Sequence, residues 1–469
     1  MSIHTRRADV VWNYLGIGLS LGMNVIWLPL LLHYLTPDRL GIWQLFIGIG
    51  AVVTLFDFGF TPQLARAFTY AWSGVEQLRT RGIQTAPEGA SPNYPLLAAV
   101  LRTCRYLYLS IALTALAIML VGGSLYLQHV IPDASLYAEV RPAWGVYTVS
   151  IFLNLYLGYY MMALRGLGDV AGANQANIYG KLCTLVLGTL ALAFGYGLLG
   201  LAAVSLVSSA VPRFFARWRL ERRYRLRGAF AEHAGERHYA MRQILGVLWY
   251  NAWRDGLVSL NAYITGQATV LLCGLYLSLA ETGIYSVSVQ IIGALTGIAV
   301  GMLSACLPAI ISGTATHAWE QVQRLVALSM TTLYLLFGIG LAAFVAVGIP
   351  LLQLIKESFV IEPAVFALLA LHLFLVDRHR LWACLIATTN QLPYTRAFIL
   401  SGIAATLSSW LALRAGWGIY GLILPPFLIQ SLYNNWYWPL YYQRLLHMNE
   451  ATLLAKGGKM LIGKLRKRQ

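Results

Sequence analysis

The chain carries little charge for its length, and acidic residues are fewer than basic ones. Charged residues make up 11% of the 469 positions, with 34 Lys and Arg against 18 Asp and Glu. An average soluble domain carries about 25%. Hydrophobic residues make up 58%, and the mean hydropathy is +0.63. Because no soluble fold could bury that much apolar surface, the composition excludes a soluble protein and predicts a chain embedded in a lipid bilayer.

Sequence motifs for disulfide frameworks, zinc sites and ATP binding are also missing. The five cysteines lie in or beside apolar runs, without a CxxC pair that has His nearby. We therefore expect small buried hydrophobic residues, and neither a disulfide framework nor a zinc site. No GxxxxGKS/T loop occurs, which argues against ATP as the direct energy source. No cofactor and no metal is expected.

Long apolar runs dominate what is present. A membrane span needs about 20 mostly apolar residues. The first run follows Arg6 and Arg7 and continues to Leu32, which is too long for a signal peptide and is better interpreted as a span. Twelve spans are predicted near 10–32, 40–62, 106–128, 142–164, 174–195, 197–217, 245–275, 283–311, 323–350, 363–389, 396–414 and 417–441.

The basic residues predict the orientation of these spans. With both termini on the cytoplasmic side, inner segments carry 27 of the 34 Lys and Arg residues, and outer segments carry only Arg39, Arg141, Lys356 and Arg414. This is a strong positive-inside bias. The net charge of +16 thus reflects orientation and contact with anionic lipids, and no basic soluble face exists for nucleic-acid binding.

A short phrase near the N-terminus recurs in the second half. Residues 34–43 read YLTPDRLGIW and residues 276–285 read YLSLAETGIY, at an offset of 242. Both copies lie on the predicted outer side, and the chain crosses the membrane in the same direction at each of them. The repeat is therefore parallel. We predict an all-α polytopic membrane protein with about twelve helices in two six-helix lobes related by a parallel pseudo-two-fold repeat. The predicted segments are an N-terminal lobe at 1–217, a basic cytoplasmic linker at 218–241, a C-terminal lobe at 242–441 and a basic cytoplasmic tail at 442–469.

Three phrases resemble one transporter family. These are LPLLLHYLTPDRLGIWQL at 28–45, TLFDFGFTPQLARAF at 54–68 and the loop ALRGLGDVAGANQANIYGKL at 163–182. Together with twelve spans, they are similar to the polysaccharide transporter family of the flippase superfamily that also contains the multidrug and toxin extruders. The likeness is greatest to O-antigen-type flippases of lipid-linked oligosaccharides. The chain differs from peptidoglycan-precursor flippases, which have fourteen spans and an arginine-rich first span.

The resemblance implies a transporter rather than an enzyme. Its substrate would be an oligosaccharide on undecaprenyl diphosphate, moved from the cytoplasmic to the outer leaflet of the bacterial inner membrane by alternating access. Partners implied are that lipid-linked oligosaccharide, a polysaccharide polymerase and a chain-length regulator. Anionic membrane lipids are expected around the basic segments.

Ionisable residues within spans are costly and therefore candidates for function. Arg254 and Asp255 lie in the seventh predicted span, and Asp377, Arg378, His379 and Arg380 lie in the tenth. Because an arginine fork suits phosphate oxygens, Arg254, Arg378 and Arg380 are the candidate diphosphate ligands, which places the diphosphate in the second half. Asp255, Asp377 and His379 are candidate cavity charges or pairing groups. The alternative is that these cations only pair with acids, along the helix or across to a neighbouring span.

Further candidates lie in the first half. Asp57 could take up a proton or a sodium ion, or could instead be capped locally or paired with Arg66. Candidates for sugar contact in the fourth span are Asn154, Tyr156, Tyr159 and Tyr160. Their aromatic rings also suit an interfacial anchor.

Three other functions remain as alternatives. A multidrug or organic-ion antiporter of the same superfamily would be expected to hold a net acidic site. A polysaccharide polymerase or ligase would be expected to carry catalytic groups on a large outer loop, but the predicted outer loops are short. A scaffold without transport has no need for charges inside its spans.

Overall fold

The computed structural model describes residue 23 and residues 26–57, 59–78, 91–233, 235, 239–250, 252–253, 268–315, 318–389 and 393–466. The regular elements in these ranges are all helical, without a strand. The chain divides into two compact units, Met1–Tyr263 and Ile264–Gln469. The lobe, linker and tail boundaries drawn from the sequence stay predictions.

The described part of the first unit includes nine helices. These are α1 (Pro37–Val52, extended by a 3-10 turn over Val53–Asp57), α2 (Phe60–Trp72), α3 (Tyr94–Ile118), α4 (Ser124–Val130), α5 (Ala134–Tyr156), α6 (Tyr159–Gly166), α7 (Val170–Ala193), α8 (Gly197–Tyr224) and α9 (Leu226–Glu232). Glycines form the turn between α7 and α8. Gly195 and Gly197 have φ of 78° and 51° there, a backbone region that glycine enters without a steric penalty.

The second unit has the same all-helical character. Its helices are α10 (Ala268–Tyr276), α11 (Leu279–Ala315), α12 (Trp319–Ala343), α13 (Ile349–Ile355), α14 (Pro363–Ala387), α15 (Thr395–Arg414), α16 (Tyr420–Leu432), α17 (Asn434–Leu446) and α18 (Glu450–Arg466).

The repeated phrase forms the start of the second span in each unit. Thr36 caps α1, because its side chain accepts a hydrogen bond from the backbone N–H of Arg39. In the second copy, Ser278 and Glu281 form a reciprocal capping box: the Ser278 N–H donates to Glu281 Oε2 at 2.9 Å, and the Glu281 N–H donates to Ser278 Oγ at 3.1 Å. A hydroxyl residue at the same position of the repeat, Thr36 or Ser278, thus caps a helix in each unit.

A second sign of duplication lies in the third span of each unit. The first unit has a 25-residue helix (α3), a five-residue π turn at Met119–Gly123 and a seven-residue helix (α4). The second unit repeats this pattern with α12, a π turn at Phe344–Gly348 and α13, again of 25, five and seven residues. Such π turns insert one residue into a helix and often mark functional positions. Duplication accounts for the equal lengths.

Eight helices of the described residues are long and apolar enough to span a membrane. The other four predicted spans are not among these eight helices, for different reasons. The first and seventh fall largely outside the described residues. The tenth, α14, carries Asp377, Arg378 and Arg380, which lower its apolar character. The twelfth is divided into α16 and α17 at Tyr433, whose φ of −141° and ψ of −59° interrupt the helix.

The predicted basic tail contains a packed helix. In α18, Leu453 is fully buried, and the Leu454 carbonyl accepts a hydrogen bond from Thr331 Oγ1 of α12 at 3.2 Å. Gly457 lies directly against α12, where a Cβ would overlap the Thr331 hydroxyl and the Ala327 carbonyl. The helix α18 is therefore packed along α12, which is itself apolar enough to span a membrane.

The loop before α7 is held by one buried carboxylate. Asp169 is 3% exposed, and its Oδ2 accepts from Arg219 Nε at 2.6 Å while its Oδ1 caps α7 by accepting from the Gly172 N–H at 3.0 Å. Arg223 Nη1 lies 3.4 Å from Oδ1. Burial raises the pKa of the Asp169 carboxyl, but the hydrogen bonds and charge of Arg219 outweigh it and hold that pKa below its ordinary value.

We expect Gly457→Ala to loosen α18, because overpacking of this kind costs about 1–3 kcal/mol. Limited trypsin digestion in detergent should then cleave at Lys456 and Lys459 several-fold faster than in the parent protein. Gly458→Ala is the matched control, because a Cβ at Gly458 meets nothing within 4 Å. Both changes raise helix propensity equally. Equal cleavage rates in the two variants would show that α18 does not depend on this contact.

Asp169→Asn should lower the free energy of unfolding by about 2–3 kcal/mol. Loss of a partner from a fully buried ion pair costs more, but Arg219 and Arg223 are both partly exposed. The folded-state pKa is depressed, so the carboxylate stabilises the protein above the ordinary carboxyl pKa of about 4 and loses this contribution as pH falls through the folded value. Unfolding temperatures of the two proteins should therefore differ at pH 7 and converge in acid. Asp133→Asn, at an exposed cap of α5, is the control. A difference that is independent of pH would contradict the assignment.

Candidate functional site

An arginine without an acidic partner among the described residues lies within the first unit. Arg213 Nη2 donates to Asn154 Oδ1 of α5 at 2.7 Å, and its Nε is buried without a hydrogen-bond partner among the described residues. The ion pairs found in the described part of the chain do not include Arg213. Arg213 lies about 24 Å along α8 from Gly197 and about 17 Å from Tyr224, at 1.5 Å per residue. Arg213 is therefore an interior residue of α8, a helix long and apolar enough to span a membrane.

A second cation, Lys181 on α7, lies at a similar depth. It follows Val170 by 11 positions, about 17 Å at 1.5 Å per residue. The two helices meet beside both cations, since a Cβ on Gly180 would come within 2.6 Å of Pro212 Cγ. Close packing of a small residue brings the two backbones together here. The first unit thus has two basic residues in one layer.

The predicted sugar contacts occupy different environments. Asn154 is engaged by Arg213. Tyr159 is buried, and its ring centroid is 4.4 Å from that of the half-buried Tyr160. Tyr156 hydrogen-bonds to Arg105 of α3. The helix is interrupted at Leu157 and Gly158, so Tyr156 ends α5 and the other two tyrosines begin α6. Sugar contact by these residues stays a prediction.

Asp57 is held by local hydrogen bonds. Tyr108 OH donates to its Oδ1 at 2.5 Å, and the Thr61 N–H donates to its Oδ2 at 3.2 Å, at the start of α2. Arg66 is exposed, and no ion pair joins it to Asp57 within the described residues. Of the two local explanations, the structure has the cap and not the pair. Ion coupling through Asp57 stays a prediction.

In the second unit, Arg378 is engaged at each nitrogen. Its Nη2 pairs with Glu450 Oε2, its Nε donates to Tyr334 OH and to Glu450 Oε1 (3.1 Å), and its Nη1 donates to the Asn435 carbonyl at 2.8 Å. Glu450 is the first residue of α18. The C-terminal helix therefore supplies the counter-ion for a charge of the tenth span.

The neighbouring residues of α14 are also partnered. Arg380 Nη1 lies 3.4 Å from Asp377 Oδ1, the pairing along the helix that the sequence left as an alternative. Their side chains are 40% and 31% exposed, so this pair is less enclosed than Arg378. His379 is buried, and its Nδ1 lies 2.7 Å from Asn435 Oδ1. Arg254 and Asp255 lie outside the described residues.

The sequence pattern did not single out two of these groups. Arg213 was counted with the cytoplasmic arginines because hydropathy falls after Pro212. The signal that could have revealed it is the uninterrupted helix-favouring run from Arg213 to Tyr224, which keeps the residue inside α8. Glu450 had no such signal, because its pairing with Arg378 depends on tertiary packing.

No family model and no curated protein matches the chain. Solved structures of the MOP superfamily are similar to it. An inward-facing multidrug resistance MATE family transporter has a TM-score of 0.68 at 14% identity, over 91% of this chain and 94% of that one. The outward-facing conformation of such a transporter has a TM-score of 0.58 at 14% identity, over 94% and 96%.

A lipid flippase has the same fold. The lipid II flippase MurJ, in an inward closed conformation, has a TM-score of 0.60 at 11% identity, over 97% of this chain and 90% of that one. Identities this low establish the fold alone. The prediction of an all-α polytopic membrane protein with about twelve spanning helices in two lobes is confirmed, and the chain has the fold of MOP superfamily transporters.

Proposed function

We propose that the protein is a flippase that moves an undecaprenyl-diphosphate-linked oligosaccharide from the cytoplasmic to the outer leaflet of the bacterial inner membrane. The observation that carries this proposal is Arg213, a guanidinium inside a candidate membrane span whose hydrogen-bond acceptor is a neutral amide. A charge in such a place costs several kcal/mol unless a partner compensates it. The diphosphate of a passing substrate would supply that partner.

The sign of the charges favours this proposal over an organic-cation antiporter. A carrier of cations needs a carboxylate that is available to its substrate. In the described spans, Asp57 is held by Tyr108 and Thr61, and Asp377 is beside Arg380. The fold is compatible with either cargo, and one of the solved relatives is named a lipid II flippase.

The structure changes which arginines we propose as diphosphate ligands. Arg213 joins Arg254 and Arg380 as a ligand. Arg378 could bind phosphate only after Glu450 leaves, because every nitrogen of its guanidinium already has an acceptor. Both termini are proposed to be cytoplasmic, with the polymerase, the chain-length regulator and anionic lipids as partners.

Transport of a fluorescent lipid-diphosphate-linked oligosaccharide in proteoliposomes tests the proposal. Arg213→Gln should lower the initial rate at least tenfold, since a hydrogen bond to a charged group is worth about 1.5–3 kcal/mol. The same variant should unfold at an equal or higher temperature, because it removes a charge that has no described counter-ion. Arg141→Gln, at an exposed position of α5, should keep the parental rate.

Two results would contradict the proposal. One is an inserted, stable Arg213→Gln protein that transports the lipid at the parental rate. The other is a parental protein that moves organic cations and leaves the lipid-linked oligosaccharide in its original leaflet.

A further inference from the structure

A cleft of about 450 Å³ opens in the first unit beside the beginning of α3. One wall is a single face of that helix, because Pro95, Ala98, Arg102 and Arg105 are spaced three or four residues apart. The opposite wall includes Tyr160, Phe230, His233 and Tyr239. We name this space the α3 cleft. Its volume lies within the usual range for small-molecule sites.

The charge of the α3 cleft is positive. Arg102 is exposed and has no hydrogen bond or ion pair with any described residue, and Arg105 contacts the phenols of Tyr156 and Tyr159. Among the described residues that line the cleft, Glu221 is the one acidic residue, and it pairs with Arg227 at 3.3 Å. Two guanidinium groups thus face the space without a carboxylate partner in the described part of the chain, which suits an anion such as phosphate.

The remaining surface of the cleft is largely aromatic. The ring centroids of Tyr94 and His233 are 4.9 Å apart. The Tyr160 ring also lines the cleft, and Arg217 Cζ lies 6.0 Å from its centroid. Aromatic faces provide flat apolar contact for the C–H faces of a sugar, and their hydroxyl groups can bond sugar hydroxyls. Arginines next to such faces match a ligand in which a sugar is joined to phosphate.

The walls are fixed by hydrogen bonds that link distant segments. Asn93 Nδ2 donates to Tyr239 OH and to the Val75 carbonyl, both at 3.0 Å, and Tyr239 OH donates to the Glu76 carbonyl at 2.6 Å. Asn93 also caps α3 by accepting from the Leu96 N–H at 3.0 Å. The cleft is therefore preformed, which reduces the entropy lost when a ligand binds.

We propose that the α3 cleft binds the phosphorylated sugar headgroup of the substrate before transport. This inference rests on the proposed function. Arg102 and Arg105 lie about 12 and 17 Å along α3 from Tyr94, the end predicted to be cytoplasmic. A lipid-linked oligosaccharide presents its diphosphate and first sugars at that level of the inner leaflet. The cleft therefore selects the headgroup, and Arg213, whose partner Asn154 lies two residues of α5 from the Arg105 partner Tyr156, receives the diphosphate next.

Calorimetric titration of the full chain in phosphatidylcholine nanodiscs tests the inference. Using Arg213→Gln protein keeps the Arg213 site out of the measurement. The probes are an N-acetylhexosamine methyl diphosphate, the methyl glycoside of the same sugar, and inorganic pyrophosphate. We expect saturable binding of the sugar diphosphate, at least tenfold tighter than binding of either fragment.

Variants locate the binding. Arg102→Gln with Arg105→Gln should weaken the sugar diphosphate at least tenfold, and Tyr160→Leu should weaken it without affecting pyrophosphate. Arg242→Gln, which is exposed and does not line the cleft, is the control for loss of an arginine elsewhere on the surface. Unchanged binding in the double variant would overturn the inference. So would equal competition by phosphatidylglycerol added to the nanodiscs, since the cleft would then be a general phospholipid site.

Transport separates failure of the cleft from failure of the proposed function. In proteoliposomes with Arg213 intact, the double variant should raise the KM for the lipid-linked oligosaccharide and keep kcat. A KM equal to that of the Arg242→Gln control would overturn the role of the cleft while leaving the flippase proposal standing. A parental protein that binds the sugar diphosphate in the cleft but does not move the lipid would overturn the flippase proposal and leave headgroup binding by the cleft standing.

Discussion

A charge at membrane depth has to be compensated, and this constraint organises both units. In the second unit the compensation is internal: Glu450, Tyr334 and the Asn435 carbonyl surround Arg378, and Asp377 lies beside Arg380. In the first unit Arg213 has an amide where an acid would be expected. Among the described residues, the cation that most needs an external anion is thus in the first unit, whereas the sequence had suggested the second.

The C-terminal helix takes part in this charge balance. Its first residue, Glu450, is the counter-ion of Arg378, and its buried face follows α12 through Leu454 and Gly457. Removal of one partner from a buried pair is strongly destabilising, because the remaining charge is left without compensation. The tail therefore belongs to the folded second unit and is more than a basic segment for lipid contact.

Much of the fold could be predicted because the bilayer imposes simple rules. Span length, the bias of basic residues and the repeated helix start at Thr36 and Ser278 depend on local sequence. The π turns could not be predicted, since inserting one residue barely changes hydropathy. The site was harder: the Arg378–Glu450 pair joins residues 72 positions apart, and the α3 cleft assembles segments from Tyr94 to Tyr239. Such contacts depend on tertiary packing, which a single sequence does not encode in any local pattern.

The central claim is that the protein moves a lipid-linked oligosaccharide across the membrane. Its most direct test is the leaflet distribution of that lipid in cells from which the protein has been deleted. The flippase account predicts that intact repeat units accumulate on undecaprenyl diphosphate in the cytoplasmic leaflet, and that restoring the protein returns them to the outer leaflet. An unchanged distribution, with increased sensitivity of the cells to organic cations, would contradict it and identify an antiporter.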